Sequence, residues 1–208
     1  MPAENEQVVI EPGTYTLTKA ITPGAPGMDV RGATGGPRPL IIAQATEAFA
    51  GVARFTLDYL AIEEQGTEAA LGLGGATLVR LSIRGTPSSL GDVLCQCYNG
   101  SIIDSVLVAL PGSSNGAVGV VSNGGTSTET LRNDTIYSES ASAPAISLSQ
   151  IAASGELTLS AYNTIAVNAA GGHDVRASAH AKIVMNHSDY ASPAAEGGTI
   201  TAGGGMNS

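Results

Sequence analysis

Residues 129–149 read ETLRNDTIYSESASAPAISLS, and the prediction of the fold starts from this stretch. Two short runs, TLRNDTIY and AISLS, have the composition and alternation of β-strands. The segment between them is rich in Ser, Ala and Pro and lacks the apolar periodicity of a helix. The unit is therefore a strand, a turn and a second strand, with few charges and a single aromatic residue.

The amino-acid composition predicts a narrow core. The chain has 208 residues, with 27 Gly, no Trp, 4% aromatic residues and 13% charged residues. Soluble domains usually contain about 25% charged residues, roughly twice as many. Because large rings are scarce, small and β-branched side chains must fill the interior. The length suits one sizeable domain, although two would also fit.

Charge and hydropathy argue against a nucleic-acid partner and against a membrane-spanning helix. The net charge is −9 and only 9 residues are Lys or Arg. The clustered cations that bind nucleic-acid phosphates are therefore missing, and we expect no nucleic-acid partner. No apolar run approaches the ~20 residues of a membrane-spanning helix, so we expect no membrane span. The first residues, MPAENEQ, do not have the pattern of a signal peptide.

The apolar residues form a repeat. The residues that open the first strand of each unit are Leu57, Leu78, Ile103, Leu131, Leu159 and Met185. The residues that close the same strands are Ile62, Ile83, Val108, Ile136, Ile165 and Tyr190. The second strands begin at Leu71, Val93, Val118, Ile146, Val175 and Ile200. Opening and closing residues are five positions apart, except at Leu159, where six positions predict a β-bulge.

The spacing of these series indicates a solenoid. From each closing residue to the next second strand the offset is nine once and ten in every later unit. The arc that leads on to the next unit measures 7 to 13 residues. Strands that stack in register on neighbouring coils must keep a fixed spacing, whereas a loop that bulges outward is free to vary in length. The sequence therefore predicts stacked coils with one variable arc.

A leucine-rich repeat is the main alternative fold, because LDYLAI and LVRLSI match its L-x-x-L-x-L pattern. That pattern requires Asn or Cys three positions after the last apolar residue, and Gln65, Thr86 and Pro111 stand there instead. A later unit also has Asp134 in place of the middle Leu. We therefore favour the β-solenoid.

The opening segments VVIEPGTYTLTKAI, MDVRGA and PRPLII follow one another as strand, Pro-Gly-x-Tyr, strand, Gly turn and Ile-rich strand. Together with TLRNDTIY, they make the chain similar, over about residues 8–202, to the parallel β-helix proteins of the pectate-lyase-like superfamily. The resemblance implies an all-β fold, a right-handed parallel β-helix. It would be a single-stranded solenoid of about eight coils of 21–29 residues.

We expect one β-helix domain over residues 1–208. Residues 1–56 would form the N-terminal coils and cap, residues 57–202 the regular coils, and residues 203–208 a tail. The last segment, TITAGGGMNS, has no recognisable cap after its strand. We therefore expect either a truncated chain or an end that the tail or a partner copy covers, as in an end-to-end or lateral homo-oligomer.

In the superfamily that the chain resembles, outward strand faces tend to carry the carbohydrate-binding and catalytic groups. On this face Asp104 and Arg132 would lie one above the other. As a catalytic pair, Asp104 would bind Ca²⁺ or substrate, and Arg132 would either abstract a proton or stabilise an enolate-like intermediate. As scaffold, they would be an exposed ion pair that contributes little stability. The residues of this face that we expect to bind substrate are Asp58, Tyr59, Arg80, Asn133 and His187.

Two other clusters favour structural roles. Cys95 and Cys97 are one residue apart, so both thiols should point inward as small core side chains, poorly placed for a mutual disulfide. No second Cys or His pair completes a metal site, so no metal site is predicted, and Ca²⁺ is the one cofactor left open. In GGHDVRASAH an inward Val175 would leave Asp174 and Arg176 outward, which indicates turn polarity.

The sequence favours a secreted or surface-associated module that binds a polysaccharide or surface glycan, or has a structural or adhesive role, through its lateral strand face. Arcs of at most 13 residues are too short to wall a deep catalytic cleft. The alternative is a polysaccharide lyase or glycoside hydrolase acting on a plant or microbial polysaccharide. An ice-binding solenoid is disfavoured because the sequence shows no regular T-x-T ladder. We expect an extracellular or cell-surface location.

Overall fold

The computed structural model describes residues 7–22, 27–44, 46–51, 54–88, 94–122, 125–150 and 155–203. These residues form strands, turns and bends, and no helix occurs among them. In particular, no helix in these ranges has the length and apolar character required to cross a membrane. The predicted repeat residue Val93, residues 1–6 and the tail from residue 204 onward lie outside the described ranges.

Twenty-three strands are found in the described part of the chain. The first twelve are β1 (Gln7–Ile10), β2 (Thr14–Leu17), β3 (Met28–Gly32), β4 (Leu40–Ala43), β5 (Phe49–Gly51), β6 (Phe55–Asp58), β7 (Ala61–Glu64), β8 (Leu71–Gly74), β9 (Thr77–Val79), β10 (Ser82–Gly85), β11 (Cys95–Tyr98) and β12 (Ser101–Ile103). The others are β13 (Val106–Ala109), β14 (Val118–Ser122), β15 (Ser127–Arg132), β16 (Thr135–Ser138), β17 (Ile146–Gln150), β18 (Leu157–Tyr162), β19 (Ile165–Asn168), β20 (Val175–Ser178), β21 (Ala181–Asn186), β22 (Pro193–Glu196) and β23 (Thr199–Gly203).

The strands form three parallel sheets. Sheet A has the order β1-β3-β6-β9-β12-β15-β18-β21-β23, sheet B the order β19-β16-β13-β10-β7-β4-β2, and sheet C the order β22-β20-β17-β14-β11-β8-β5. From β3 to β21 consecutive strands belong to sheets A, B and C in turn, so each of these coils adds one strand to each sheet. The described strands of the first coil, β1 and β2, belong to sheets A and B, and after β21 the chain passes to sheet C and back to sheet A. This all-β arrangement is consistent with a parallel β-helix. It does not fit a leucine-rich repeat, because the chain forms three stacked sheets rather than one.

The register of sheets A and B confirms part of the predicted repeat and corrects the rest. The inward residues paired across sheet A are Leu57, Leu78, Ile102, Leu131, Ala161 and Met185. Those paired across sheet B are Ile62, Ile83, Leu107, Ile136 and Ala166. The offset between the two series is five residues in each of the five coils from β6 to β19, whereas Val30 and Ile41 of the preceding coil are eleven residues apart. The bulge predicted at Leu159 is therefore wrong, because Ala161 is the residue in register.

Sheet C shows that two arcs vary, not one. Its registered residues are Phe49, Leu71, Cys95, Val118, Ile146, Val175 and Pro193. The segment from sheet B to sheet C spans 8 to 12 residues, and the segment from sheet C to sheet A spans 7 to 15. Ile200, predicted to open a second strand, pairs with Ile183 in sheet A. From β6 to β19 the constant element is the tight turn between sheets A and B, whereas a longer connection joins β3 to β4.

The core is a stack of small and medium-sized apolar side chains enclosed by the three sheets. Leu57, Leu78 and Leu131 have no exposed surface, and each buried Leu contributes about 1.5–3 kcal/mol through the hydrophobic effect. Cys95 and Cys97 are buried free thiols in this core, as predicted. Asp174 was predicted to lie on the outer face, but it is 5% exposed. Its carboxylate turns inward because backbone N–H groups at the end of sheet B require an acceptor.

Candidate functional site

The turn between sheets A and B places one exposed or partly exposed side chain per coil in a row, which we call the polar ridge. Its members are Tyr59, Arg80, Asp104, Asn133, Asn163 and His187. Each lies two residues after the inward residue of its sheet A strand, and each has a left-handed backbone with φ between 48° and 58°. Asn, Asp and His adopt this conformation more readily than most other non-glycine residues. The backbone conformation of the turn is therefore enough to explain why polar residues recur here, whether or not they bind a ligand.

Hydrogen bonds join the middle of the polar ridge. Asn133 Nδ2 donates to Asp104 Oδ1 at 2.9 Å, and Asn163 Nδ2 donates to Asn133 Oδ1 at 3.2 Å. The predicted stacking of Asp104 on Arg132 is therefore wrong by one residue. Arg132 is paired in register with Ile103, so Asp104 meets Asn133 instead. The left-handed turn caused the shift, because Asp104 belongs to the turn and not to the strand.

Arg132 has a different neighbour. Its guanidinium lies 5.9 Å from the centre of the Tyr162 ring, a cation–π arrangement. Tyr162 pairs with Arg132 in sheet A and is 39% exposed. The ion pairs found among the described residues are Arg80 with Asp58 and Arg84 with Glu63, so neither Asp104 nor Arg132 takes part in one.

The N-terminal part of the face is organised around Tyr59. Its hydroxyl donates to Gly36 O at 3.2 Å, and the guanidinium groups of Arg38 and Arg80 lie 5.1 and 5.9 Å from its ring centre. Arg80 Nε donates to Asp58 Oδ1 at 2.8 Å, and a second nitrogen contacts Asp58 Oδ2. The hydrogen bond and the charge of Asp58 raise the pKa of the Arg80 guanidinium. Because Arg80 is well exposed, the pair orients side chains more than it stabilises the fold.

A column of buried polar groups lies directly beneath the ridge. Asp134 is 1% exposed, and its Oδ1 and Oδ2 accept hydrogen bonds from the backbone N–H groups of Ser105 and Arg132, both at 2.8 Å. Burial raises the pKa of the Asp134 carboxyl to about 7, although these two donors oppose the shift. Thr164 and Ser188 occupy the same position in later coils. These contacts fix the turn conformation on which the ridge depends.

Sequence reasoning missed the most regular feature of this face, a row of hydroxyls on the outer side of sheet A. One partly exposed Thr or Ser per coil stands in register immediately before each inward residue, and we call this row the hydroxyl column: Thr56, Thr77, Ser101, Thr130 and Ser160. The row continues through Val184 to Thr201. Neighbouring strands place these groups about 4.7–4.9 Å apart. Its sequence signal is a Thr or Ser before five of the six registered core residues from Leu57 to Met185, which the misplaced register at Ile103 and Leu159 concealed.

A second, shorter row runs beside the hydroxyl column at the C-terminal end of sheet A. Thr128 pairs with Thr158, which pairs with Lys182, which pairs with Thr199. Strands β15, β18 and β23 therefore each present a T-x-T or T-x-S pair in register. The sequence shows no regular T-x-T ladder, but the structure forms part of such an array on sheet A, which Lys182 interrupts.

The seven predicted site residues lie along one edge of sheet A. Asp58 and Arg132 are on the strand position between the hydroxyl column and the polar ridge, and the ridge carries the others: Tyr59, Arg80, Asp104, Asn133 and His187. They form a line across six coils and do not converge. Asp58 and Asp104 are two coils apart, or about 10 Å at the usual strand spacing. Within the described ranges, no group of three or more His, Cys, Asp or Glu residues is arranged to hold a metal ion.

Comparison with known proteins gives no relative: no protein-family model, curated protein or solved structure matches this chain.

Proposed function

We propose that this protein is a non-catalytic module that binds a neutral glycan on the outer face of sheet A, between the hydroxyl column and the polar ridge. The hydroxyl column carries the proposal. Five hydroxyl-bearing side chains on consecutive coils stand in register on one face of sheet A. A repeating polymer laid along the stack would meet one hydroxyl per coil.

The chemistry of the surface suits a neutral sugar. A Thr or Ser hydroxyl donates and accepts hydrogen bonds, as a sugar hydroxyl does, and neither partner has to lose a charge on binding. Tyr162, 39% exposed beside Ser160, offers an aromatic surface for the apolar side of a sugar ring. The net charge of −9 disfavours polyanionic polysaccharides.

Binding is better supported than lyase or hydrolase chemistry. Asp58 is engaged by Arg80, Asp104 accepts a hydrogen bond from Asn133, and Arg132 lies over Tyr162. Proton abstraction requires a base within hydrogen-bonding reach of the substrate and a second group that stabilises the charge. On this face each of these charged groups already contacts another side chain, and the contacts lie in different coils, so they do not form one catalytic centre.

We also propose that the three-sheet stack is a right-handed parallel β-helix of pectate-lyase-like type. The tight turn that recurs between sheets A and B, with Asn133 and Asn163 in the left-handed conformation, supports this assignment. The protein would act outside the cell or at its surface, where neutral glycans are accessible. Self-association, end to end or laterally, stays a prediction.

The test is binding of soluble neutral polysaccharides, measured by affinity electrophoresis and calorimetry. Thr77→Val and Thr130→Val keep the shape of the side chain but remove one hydroxyl from the column. Each lost hydrogen bond is worth about 1 kcal/mol, so we expect each variant to bind roughly fivefold more weakly. Thr135→Val is the matched control, because Thr135 is an exposed strand Thr on the outer face of sheet B.

Two results would overturn the proposal. One is an absence of binding to every neutral glycan tested, or an equal effect of Thr135→Val and of the column variants. The other is release of reducing or unsaturated sugar ends, with or without added Ca²⁺, that folded Arg132→Ala abolishes. We expect no such release.

A further inference from the structure

A buried acid without a hydrogen-bonding partner lies inside the stack. Glu129, on β15, is 2% exposed, and neither Oε1 nor Oε2 has a partner. An ionised carboxylate in such a site would lose its hydration without compensation, a cost of several kcal/mol. Burial therefore favours the neutral acid in this site and raises the pKa of the Glu129 carboxyl well above its usual value.

The titratable groups that face Glu129 do not offer it a counter-charge. They are the thiols of Cys95 and Cys97 on β11 and the carboxyl of Asp134 in the turn after β15. Its strand neighbour on β18 is the apolar Leu159. No Lys, Arg or His is among these groups, so loss of the proton would leave a bare negative charge in the core.

The coil wall beside Glu129 is weakly closed. Strand β12 begins at Ser101, which pairs with Thr130, so the part of β15 before Thr130 has no strand partner on that side. Asn99, with φ of 54°, closes this gap through side-chain hydrogen bonds. Asn99 N–H donates to Ser127 Oγ at 3.2 Å, and Thr128 N–H donates to Asn99 Oδ1 at 3.0 Å. We call this gap the Asn99–Ser127 seam.

The thiol of Cys97 lies immediately under the seam. A Cβ atom placed on Gly100 would be 2.3 Å from Cys97 Sγ, so the thiol occupies the space left by the missing side chain. Cys97 has no exposed surface while the seam is closed. Opening of the seam would therefore uncover this sulfur without unfolding the rest of the stack.

We propose that the Asn99–Ser127 seam is a pH-dependent latch. With Glu129 protonated the seam is closed. When the Glu129 carboxyl releases its proton to solvent, the carboxylate leaves the core through the seam to become hydrated. Local opening of this kind requires only the loss of the two Asn99 contacts and the adjacent strand end, not of the whole sheet. The thiol of Cys97 is then accessible to small thiol-reactive molecules.

The test is the rate at which the native protein reacts with a small aromatic disulfide reagent from pH 5 to pH 9. The thiolate attacks the reagent disulfide and releases a coloured aromatic thiolate, so the reaction is followed by absorbance. Glu129→Gln keeps the shape of the side chain but does not titrate. Both proteins carry the same thiols, so the ratio of the two rates removes the intrinsic pH dependence of thiolate formation. Burial raises the pKa of the Cys97 thiol and the negative charge of Glu129 raises it further, a charge effect that would lower this ratio as the pH rises and cannot imitate opening of the seam. We expect this ratio to rise at least tenfold with pH, and a ratio that stays near one overturns the latch.

Two further measurements separate the latch from global unfolding. Peptide mapping should show that Cys97 reacts first, whereas equal labelling of Cys95 and Cys97 would indicate that the whole core opens and would overturn the proposal. Amide hydrogen exchange of the wild-type protein, corrected for intrinsic base catalysis, should show that Thr128 and Thr130 lose protection with pH before the strands of sheet C do. This second readout needs no variant, so it decides the matter even if Glu129→Gln does not fold.

Discussion

The carboxylate of Asp174 substitutes for a missing strand beside Asn168. Sheet B ends at β19, and Asp174 Oδ1 accepts a hydrogen bond from the backbone N–H of Asn168 at 2.6 Å. Asp174 Oδ2 accepts two more, from the N–H groups of Ala191 at 2.7 Å and Ser192 at 2.9 Å. One buried side chain thus ties the last strand of sheet B to the final coil and satisfies a free sheet edge.

Replacing Asp174 with Ala should destabilise the protein by about 3 kcal/mol or more, because three backbone donors lose a charged acceptor in a buried site. Asp174→Asn keeps one oxygen acceptor and should cost about half as much. Urea unfolding followed by circular dichroism measures both losses.

Asp29→Ala is the control for this series, because Asp29 is exposed on the outer face of sheet A. We expect it to change the free energy of unfolding by no more than about 0.5 kcal/mol. Equal losses for Asp29→Ala and Asp174→Ala would show that the carboxylate does not hold the final coil.

His187→Asn should stabilise the protein. His187 has φ of 48° and is exposed, and a left-handed backbone costs most non-glycine residues about 1–2 kcal/mol, whereas Asn tolerates it better. His is itself among the residues that adopt this backbone, so we expect a gain of only about 0.5 kcal/mol, seen as a higher melting temperature. Lys182→Asn, at an exposed strand position of the same coil, should give no gain, and a similar gain at both sites would refute the backbone explanation.

The architecture was predictable from the sequence because most of the registered core residues are large. Leu57, Leu78 and Leu131 are strong apolar signals, and they recur at the spacing that the stack imposes. Ala161 and Ala166 are in register too, but a small side chain does not stand out, so Leu159 and Ile165 were preferred. Ala161 and Ala166 are fully buried although their side chains are small, which is why hydrophobicity alone misplaces those strands.

The face of the candidate site was predictable, but its contacts were not. All seven predicted residues lie along one edge of sheet A, since their offset from the core residues is constant. The partner of Asp104 depends on whether that residue ends a strand or enters a left-handed turn, a one-residue difference that the sequence pattern does not record. The hydroxyl column could not be predicted, because recognising it requires the correct register of every coil at the same time.

Gly155→Ala should be more damaging than Gly35→Ala. Both glycines have a left-handed backbone, with φ of 97° and 94°. A Cβ atom on Gly155 would be 1.9 Å from Gly125 O, whereas a Cβ atom on Gly35 would meet nothing within 4 Å. Gly35→Ala should therefore cost only the conformational penalty of about 1–2 kcal/mol.

The difference between the two glycine variants isolates the close approach of neighbouring coils. We expect Gly155→Ala to lose at least about 2 kcal/mol more than Gly35→Ala in urea unfolding, because backbone atoms of adjacent coils must separate. If the two losses are equal, residues 125 and 155 are not packed as tightly as the structure shows.

Glu64 should make the protein less stable as the pH rises. Burial raises the pKa of its carboxyl to about 7, although the N–H of Gly66 donates to Oε1 at 2.6 Å. The folded state therefore retains a proton that the unfolded chain has released. The associated stability is complete below the unfolded pKa of about 4.5 and is lost as the pH rises to about 7, a change on the order of 3 kcal/mol.

Glu64→Gln should flatten this part of the pH profile, which urea unfolding between pH 4.5 and 8 would show. The adjacent Glu63 is the matched control. It is paired with Arg84, and hydrogen bonds to Gln65 and Arg84 lower the pKa of its carboxyl, so its small contribution is lost as the pH falls, not as it rises. Glu63→Gln should leave the slope between pH 4.5 and 7 unchanged, since adjacent carboxyls on opposite faces of β7 respond to pH in opposite directions. An equal flattening by both variants would mean that overall charge repulsion, and not the burial of Glu64, sets the pH dependence.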